Sequence, residues 1–285
     1  MTKTLDTLLN EPGILVVPGA HDPLSARIAA RAGAKAVYMT GFGVAGAGFG
    51  VPDIGLVNAE QMIERVRVIA GSIAPLPLIA DGDNGHGGPL NVMRLTRAYE
   101  QAGAQCIQLE DQVSPKRCGH MDGKEVIPLT EAAAKIRAAA EARASSAFKI
   151  MARTDARATH DLDEALRRGE AFLKAGADIL FIEAPRSEKE MAKVAATFKG
   201  TPLLANLVED GKTPMLSPAA LQQMGYKIAL YPISALLAAS AALEQVYATL
   251  LGGAGQPRER VTFSQYNDIV GLPDLLATAK RFDAS

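Results

Sequence analysis

Three carboxylates close two apolar runs: Asp81 and Asp83 follow "PLIA", and Glu110 follows "CIQL". Hard oxygen donors on neighbouring strands can hold Mg²⁺ directly or through its waters, with Mn²⁺ a possible substitute. No histidine cluster competes for a softer metal. A second group lies in "PKRCGHMDG", residues 115–123, which crowds Lys116, Arg117, Cys118 and His120 into a stretch whose Pro and Gly residues oppose a helix. Other apolar runs also end in polar residues. Thr40 and Gly41 follow "AVYM", Asp111 follows Glu110, and Arg153, Thr154 and Asp155 follow "KIMA". Glu183 follows "ILFI", Asn206 follows "LLA" and Tyr231 follows "IAL". Any one of these reads equally well as a helix cap or a satisfied loop group. Their recurrence at run after run points to one shared mouth.

The elements that must position these groups are legible from a repeated joint. "RAGAKAVYM", "QAGAQCIQL", "KAGADILFI" and, more loosely, "QMGYKIALY" each read as a helix end, a glycine and a strand. Glycine enters the left-handed conformation at a helix C-terminus without a Cβ penalty, and the apolar run after it suits a strand buried on both faces. Further runs of the same kind occur at "GILVVPGA", "LPLIADGD", "FKIMART" and "PLLANL", which brings the strand count to eight. Residues 23–32, 59–70, 90–102, 129–144 and 162–175 carry apolar residues at helical spacing between them. Eight alternating units in about 250 residues favour a closed (β/α)₈ TIM barrel over a doubly wound open sheet, and a barrel gathers its strand ends on one catalytic face. The whole chain, 1–285, is read as a single barrel domain. Residues 233–251 form the last long helix, and 252–285 a linker and helical tail.

With 285 residues and a net charge of −1, the chain has no Lys/Arg block that would neutralise a phosphate backbone, so a small solute is expected rather than nucleic acid. The N-terminus lacks a secretory pattern, and no apolar run is expected to reach the roughly 18 residues of a membrane span. A cytoplasmic protein without a membrane partner is the expectation. Only Cys106 and Cys118 are present, which in a reducing compartment argues against a structural disulfide. Cys106, inside an apolar strand, reads as a small core residue. "GFGVAG" from Gly41 matches a dinucleotide pattern, but it is expected to run as a flexible lip to Asp53 without opening a helix, its amides facing an anionic ligand.

Taken together, "VPGAHDPLSARIAARAGAKAVYMTGFGVA", "VPDIGL", "DGDNGHGG", "LEDQVSPKRCGH", "MARTDA", "FIEAP", "NLVEDGKTP" and "YPISA" resemble the isocitrate lyase and phosphoenolpyruvate mutase superfamily, in that family's order, from about Gly13 to Leu251. The resemblance implies a (β/α)₈ barrel, a homotetramer with exchanged C-terminal helices, and Mg²⁺ binding a 2-oxo or 2-hydroxy acid. It implies Asp81, Asp83 and Glu110 as the metal set, and Tyr38, Thr40, Gly41, Phe42 and Asp53 as the pocket for a pyruvoyl-like moiety. Thr40 and Phe42 depart from the Ser and Gly common in the lyases, and Phe42 could narrow the pocket. The lyase branch carries a K-x-C-G-H loop over its substrate, and Lys116, Cys118, Gly119 and His120 fit it. Neighbouring cations lower a thiol's pKa, so Cys118 is expected to be the proton donor, with Arg153, His120 and Asn206 holding developing charge and Glu183 orienting or sharing a proton. Roles for His21, His86 and His160 stay open.

The chemistry this implies is a reversed Claisen cleavage of a 2-hydroxy dicarboxylate to a 2-oxo acid and a short carboxylic acid. Lyases for tricarboxylates carry arginines where this chain has Leu237 and Phe263, and a buried carboxylate without a partner is costly. A substituted malate, giving pyruvate or a related 2-oxo acid, is therefore expected. Methylisocitrate cleavage is the nearest rival, and phosphonate chemistry or oxaloacetate hydrolysis or decarboxylation are the others.

Overall fold

The computed structural model describes residues 3–117, 123–253, 255 and 259–282. Cys118, Gly119 and His120 lie outside the described residues. Eight parallel strands run Leu15–Ala20 (β1), Val37–Met39 (β2), Leu78–Asp81 (β3), Cys106–Glu110 (β4), Lys149–Thr154 (β5), Ile179–Ile182 (β6), Leu204–Asn206 (β7) and Ile228–Tyr231 (β8). They pair in the order β6-β5-β4-β3-β2-β1-β8-β7. A parallel bridge between Leu180 and Leu203 joins the two ends, so the sheet closes into a barrel.

Before the first strand comes α1 (Leu5–Asn10); outside the wall lie α2 (Pro23–Arg31), then, past the short α3 (Gly41–Gly43) at the C-terminal end of β2, α4 (Ala59–Ile73), α5 (Pro89–Gln101) and α6 (Leu129–Ala142). They are followed by α7 (Ala156–Thr159), α8 (Leu162–Lys174), α9 (Glu188–Thr197), α10 (Pro218–Met224) and α11 (Ser234–Leu251). The tail adds α12 (Phe263–Val270) and α13 (Leu272–Ala279). The four repeated joints hold as read: Gly33, Gly103, Gly176 and Gly225 have φ of +93°, +98°, +104° and +109°. Each turns the chain from a helix end into the next strand, where a Cβ would be strained.

Two apolar layers build the core. Inside the barrel, Leu15, Val17, Tyr38, Ile79, Cys106, Met151, Ile179, Phe181, Leu204, Ile228 and Leu230 pack together, and Leu5 and Leu8 of α1 join this layer. Cys106 is fully buried there, and burial pushes its thiol well above the ordinary range, which fits its reading as an inert core residue. The outer layer lies between strands and helices, with Met62, Val66, Leu95, Tyr99, Ile136 and Phe172 among its members.

Two readings need correction. Residues 41–48 are not a lip without helix: α3 and a π-helical turn over Val44–Gly48 follow β2 at once, because the Thr40 side chain accepts Gly43 N at 3.4 Å and caps the turn. Second, an apolar run of span length does exist. The 18-residue α11 is long and apolar enough, by length and composition, to cross a membrane, with a mean hydropathy of 1.3. Its Ala- and Ser-rich sequence dilutes the apolar signal without interrupting it. None of its residues is buried within the chain.

Candidate active site

The C-terminal ends of the strands open onto a cavity of about 250 Å³ lined by Tyr38, Thr40, Phe42, Asp53, Asp81, Glu110, Lys116, Arg117, Arg153, Phe181, Glu183, Asn206, Val208, Leu230, Pro232 and Ile233. Register explains the convergence. Glu110 of β4 stands opposite Arg153 of β5, which stands opposite Phe181 of β6. One polar layer thus runs across three strands just above the apolar interior.

Asp81 is built into the wall. Its Oδ2 accepts Gly41 N at 3.2 Å, and its Oδ1 accepts Asp83 N and Gln108 Nε2, each at 3.1 Å. Gln108 in turn accepts the Tyr38 hydroxyl. Burial, reinforced by Asp83, raises the Asp81 carboxyl to about 6. Asp53 is raised by burial despite Lys116, and Glu110 is pushed well above the usual carboxylate range by burial, with Arg153 opposing.

Lys116 enters among these acids. Its Nζ bridges Asp53 and Asp83, at 2.8 Å from the Asp83 Oδ1, and the surrounding carboxylates outweigh its burial and raise its pKa. The segment that delivers it is pinned at its base. Gln112 pairs with Val126 in an antiparallel bridge, while the Gln112 side chain accepts Arg117 N at 2.9 Å and donates to Arg117 O at 2.8 Å. Asp83 and His86 hold φ of +50° and +52°, so the "DGDNGHGG" turn is a strained backbone whose side chains the surroundings dictate. His86 Nε2 lies 3.6 Å from Asp83 Oδ2, outside the cavity lining.

Arg153 faces the acids. Its Nη2 is 3.2 Å from Glu183 Oε2, its Nε is 3.4 Å from Glu110 Oε2, and its guanidinium lies 5.0 Å from the Phe181 ring centroid. Asn206 Nδ2 donates to Glu183 Oε2 at 3.2 Å. Buried carboxylates outweigh desolvation and keep Arg153 charged.

Do these residues fit a divalent cation? Among the described residues no group of three or more His, Cys, Asp or Glu side chains is close-set enough to hold an ion directly. In this arrangement Lys116 supplies the positive charge between the acids, and of the two modes expected, direct ligation or ligation through waters, the spacing suits the second. Yet the donors are all hard oxygens, and the buried Glu110 Oε1 has no hydrogen-bond partner among the described residues. Mg²⁺ commonly uses one or two carboxylates and keeps several waters, so the set fits a partly hydrated ion.

A model of the phosphoenolpyruvate phosphomutase family matches residues 5–251. The chain belongs to this family, within the isocitrate lyase superfamily. A 2,3-dimethylmalate lyase of Eubacterium barkeri is 46% identical over 268 residues, covering 93% of this chain and 92% of the relative. A 2-methylisocitrate lyase of Bacillus subtilis (strain 168) is 41% identical over 240 residues, covering 84% of this chain and 78% of the relative. Among solved structures, oxaloacetate acetylhydrolase in complex with the inhibitor 3,3-difluorooxalacetate superposes with a TM-score of 0.95 at 34% identity, covering 100% of this chain and 97% of that one.

Set against this phosphomutase-family barrel, the residues expected from sequence fall as follows. Tyr38, Thr40, Phe42, Asp53, Asp81, Glu110, Lys116, Arg153, Glu183 and Asn206 all line the one cavity. Gly41 lies behind it, against Asp81, and Asp83 reaches it through Lys116. Leu237 and Phe263 do not line it; they sit on α11 and α12, 43% and 83% exposed. α11 packs on β1 and α12 on α2, where Arg27 Nη1 donates to Ile269 O at 3.4 Å and Arg31 Nη1 to Asp268 O at 3.2 Å. The apolar wall is built instead by Val208, Leu230, Pro232 and Ile233. Phe181 was missed as well, though its inward place in "ILFI" follows from strand alternation.

Two expectations follow. A methyl group at Gly41 would stand 2.6 Å from Asp81 Oδ2, so Gly41→Ala should displace that carboxylate and weaken Mn²⁺ affinity about 10–100-fold, as outer-shell changes at metal sites do. Titration followed by electron paramagnetic resonance checks this. Second, a carboxyl raised in the folded state favours folding when protonated, a contribution lost as pH rises through about 6. In chelator, the Tm of the wild type relative to Asp81→Asn should therefore rise as pH falls from 7.5 to 5. With Mg²⁺ present that trend should weaken, since a cation competes with the proton.

Proposed function

We propose that the protein is a Mg²⁺-dependent carbon–carbon lyase that cleaves a substituted malate to a 2-oxo acid and a short carboxylic acid. The observation that carries this reading is the division of the cavity. Asp81, Glu110 and Arg153 come from β3, β4 and β5, with Lys116 following β4, whereas Val208, Leu230, Pro232 and Ile233 come from the ends of β7 and β8. The anionic 2-hydroxy acid end suits the first and alkyl substituents suit the second. The name of the Eubacterium barkeri relative supports the same substrate class.

When bound, Mg²⁺, held by Asp81, Asp83 and Glu110 in part through its waters, would polarise the substrate's oxygens and acidify its hydroxyl. The protein's own groups do the rest. Lys116 and Arg153 bind the carboxylate charge, and Tyr38, Thr40, Gly41, Phe42 and Asp53 shape the pocket for the pyruvoyl-like end. A base takes the hydroxyl proton, the oxygen electron pair forms the C2=O bond as C2–C3 breaks, and the released pair moves onto the carbon beside the second carboxylate. Glu183, held by Arg153 and Asn206, orients or shares a proton. Cys118 donates the proton that completes the acid product, with Gly119 and His120 beside it in sequence. Arg153, His120 and Asn206 hold the charge that develops.

We place the enzyme in the cytoplasm as a homotetramer with exchanged C-terminal helices, acting on a small carboxylic acid and not on nucleic acid or membrane. Supporting this, α11 exposes Leu237, Leu243, Tyr247, Leu250 and Leu251, and the outer face of β1 at Val16 is 43% exposed beside an apolar cavity lined by Ile14, Leu15, Val16, Pro18 and Ala29. A second copy's α11 would cover that surface.

The test is a comparison of kcat/KM for 2,3-dimethylmalate, 2-methylisocitrate, oxaloacetate and phosphonopyruvate with Mg²⁺. The apolar wall favours the first by at least tenfold. Preference for 2-methylisocitrate would overturn the substrate class, and exclusive turnover of phosphonopyruvate or oxaloacetate would overturn the reaction.

A further inference from the structure

Asp155 opens α7, where an aspartate ordinarily accepts hydrogen bonds from its own helix. Here its side chain makes no capping bond and is fully buried. The neighbouring Thr154 Oγ1 accepts Ala156 N at 3.1 Å instead. The carboxylate is turned to Arg153: Oδ2 accepts Nε and Oδ1 accepts Nη2, both at 3.0 Å. Oδ1 also accepts Lys124 Nζ at 2.7 Å, and the Lys124 side chain is only 2% exposed. Asp155 is itself fixed from behind. Its backbone N donates to Asp111 Oδ1 at 2.9 Å, and Asp111 Oδ2 accepts the Thr154 hydroxyl at 2.6 Å and Arg168 Nη1 at 2.9 Å.

Neither Lys124 nor Asp155 lines the cavity, whereas Arg153 does. A two-point carboxylate fork along one edge and the Phe181 ring against the face leave a guanidinium little freedom. Such a fork has a cost in function. A carboxylate that orients an arginine also cancels its charge, and in a dry site the loss of field is large. Lys124 resolves that conflict. One carboxylate is shared between two cations, so Asp155 offsets less of the Arg153 charge than it would alone, and Arg153 presents the remainder to the cavity, where Glu183 and Glu110 also face it. Burial would raise Asp155, but Arg153 and then Lys124 outweigh it and hold the carboxyl down at about 2, so the carboxylate stays ionised through the working range.

We propose that Asp155 and Lys124 are positioning residues for Arg153. Asp155 sets its orientation, and Lys124 restores the positive field that Asp155 would otherwise cancel. This rests on Arg153 stabilising developing carboxylate or enolate charge in the reaction proposed above.

The test uses Lys124→Met, which keeps the apolar stem and leaves Asp155 paired with Arg153, together with Lys124→Arg and Asp155→Asn. With 2,3-dimethylmalate and Mg²⁺, Lys124→Met and Asp155→Asn should lower kcat about 10–100-fold. KM should move less than about threefold, because the lost field matters most where charge develops. Lys124→Arg should recover most of the rate. Oxalate, a planar dianion with the shape of a 2-oxo acid enolate, serves as a probe that needs no turnover. Its inhibition or dissociation constant should rise in step with the fall in kcat. Wild-type kcat and oxalate affinity in Lys124→Met, or a Lys124→Arg as impaired as Lys124→Met, would overturn the proposal. Should the wild type bind oxalate but cleave no malate, the lyase reading fails, and the oxalate series alone decides the positioning role.

Discussion

Cys118→Ser should cut kcat for 2,3-dimethylmalate by about 10²–10⁴-fold, the range set by loss of a positioned general acid. A serine hydroxyl is a far weaker acid than a thiol flanked by cations, so it cannot deliver a proton to the nascent carbanion near neutral pH. Oxalate affinity and Tm should stay within a factor of two and a degree or two of wild type, because the substitution leaves the carboxylates and Arg153 in place. Lys116, two residues before Cys118 in sequence, stands between Asp53 and Asp83 and, with Arg117, lines the cavity. Turnover by Cys118→Ser within about threefold of wild type would mean that another group protonates the product.

The second large effect belongs to Arg153. Arg153→Lys keeps a positive charge but has one ammonium where the native side chain reaches Asp155 through two nitrogens, Glu183 at 3.2 Å and the face of Phe181. An ammonium cannot reproduce that fork. The expected loss is about 10²–10³-fold in kcat, comparable to removal of one oxyanion-stabilising donor. Steady-state kinetics beside a thermal melt separates this from unfolding. A rate within threefold of wild type would show that charge alone suffices and orientation does not matter.

Much of the molecule was readable before any coordinates. Strands covered on both faces appear as short unbroken apolar runs, and the glycines before β2, β4, β6 and β8 mark where each helix ends, so alternation and strand count followed directly. In a barrel the residue that ends a run is also the residue at the mouth, which is why Asp81, Glu110, Arg153, Glu183 and Asn206 could be named as neighbours across more than a hundred positions. What stayed hidden depends on where chain segments return. Lys124 is just another charged loop residue until the Gln112–Val126 bridge brings it beside Asp155. The same folding back places Lys116 among acids read as a bare metal set. Residues 41–48 misled because two patterns compete there. Glycines argue for an open turn, yet Thr40 caps a helical one, and the amide of Gly41 faces the protein's own Asp81 rather than a ligand. Leu237 and Phe263 lie on α11 and α12, outside the lining of this chain's cavity, since alignment gives a position along the chain and not the place to which a helix carries it.

The most direct test of the lyase reading is to follow 2,3-dimethylmalate with the full-length protein and Mg²⁺ in D₂O by NMR. Retro-Claisen cleavage balances as one pyruvate and one propanoate per substrate consumed, with a single deuteron at C2 of the propanoate and none before cleavage. Neither product forming, or products forming at an undiminished rate after exhaustive chelation, would contradict it.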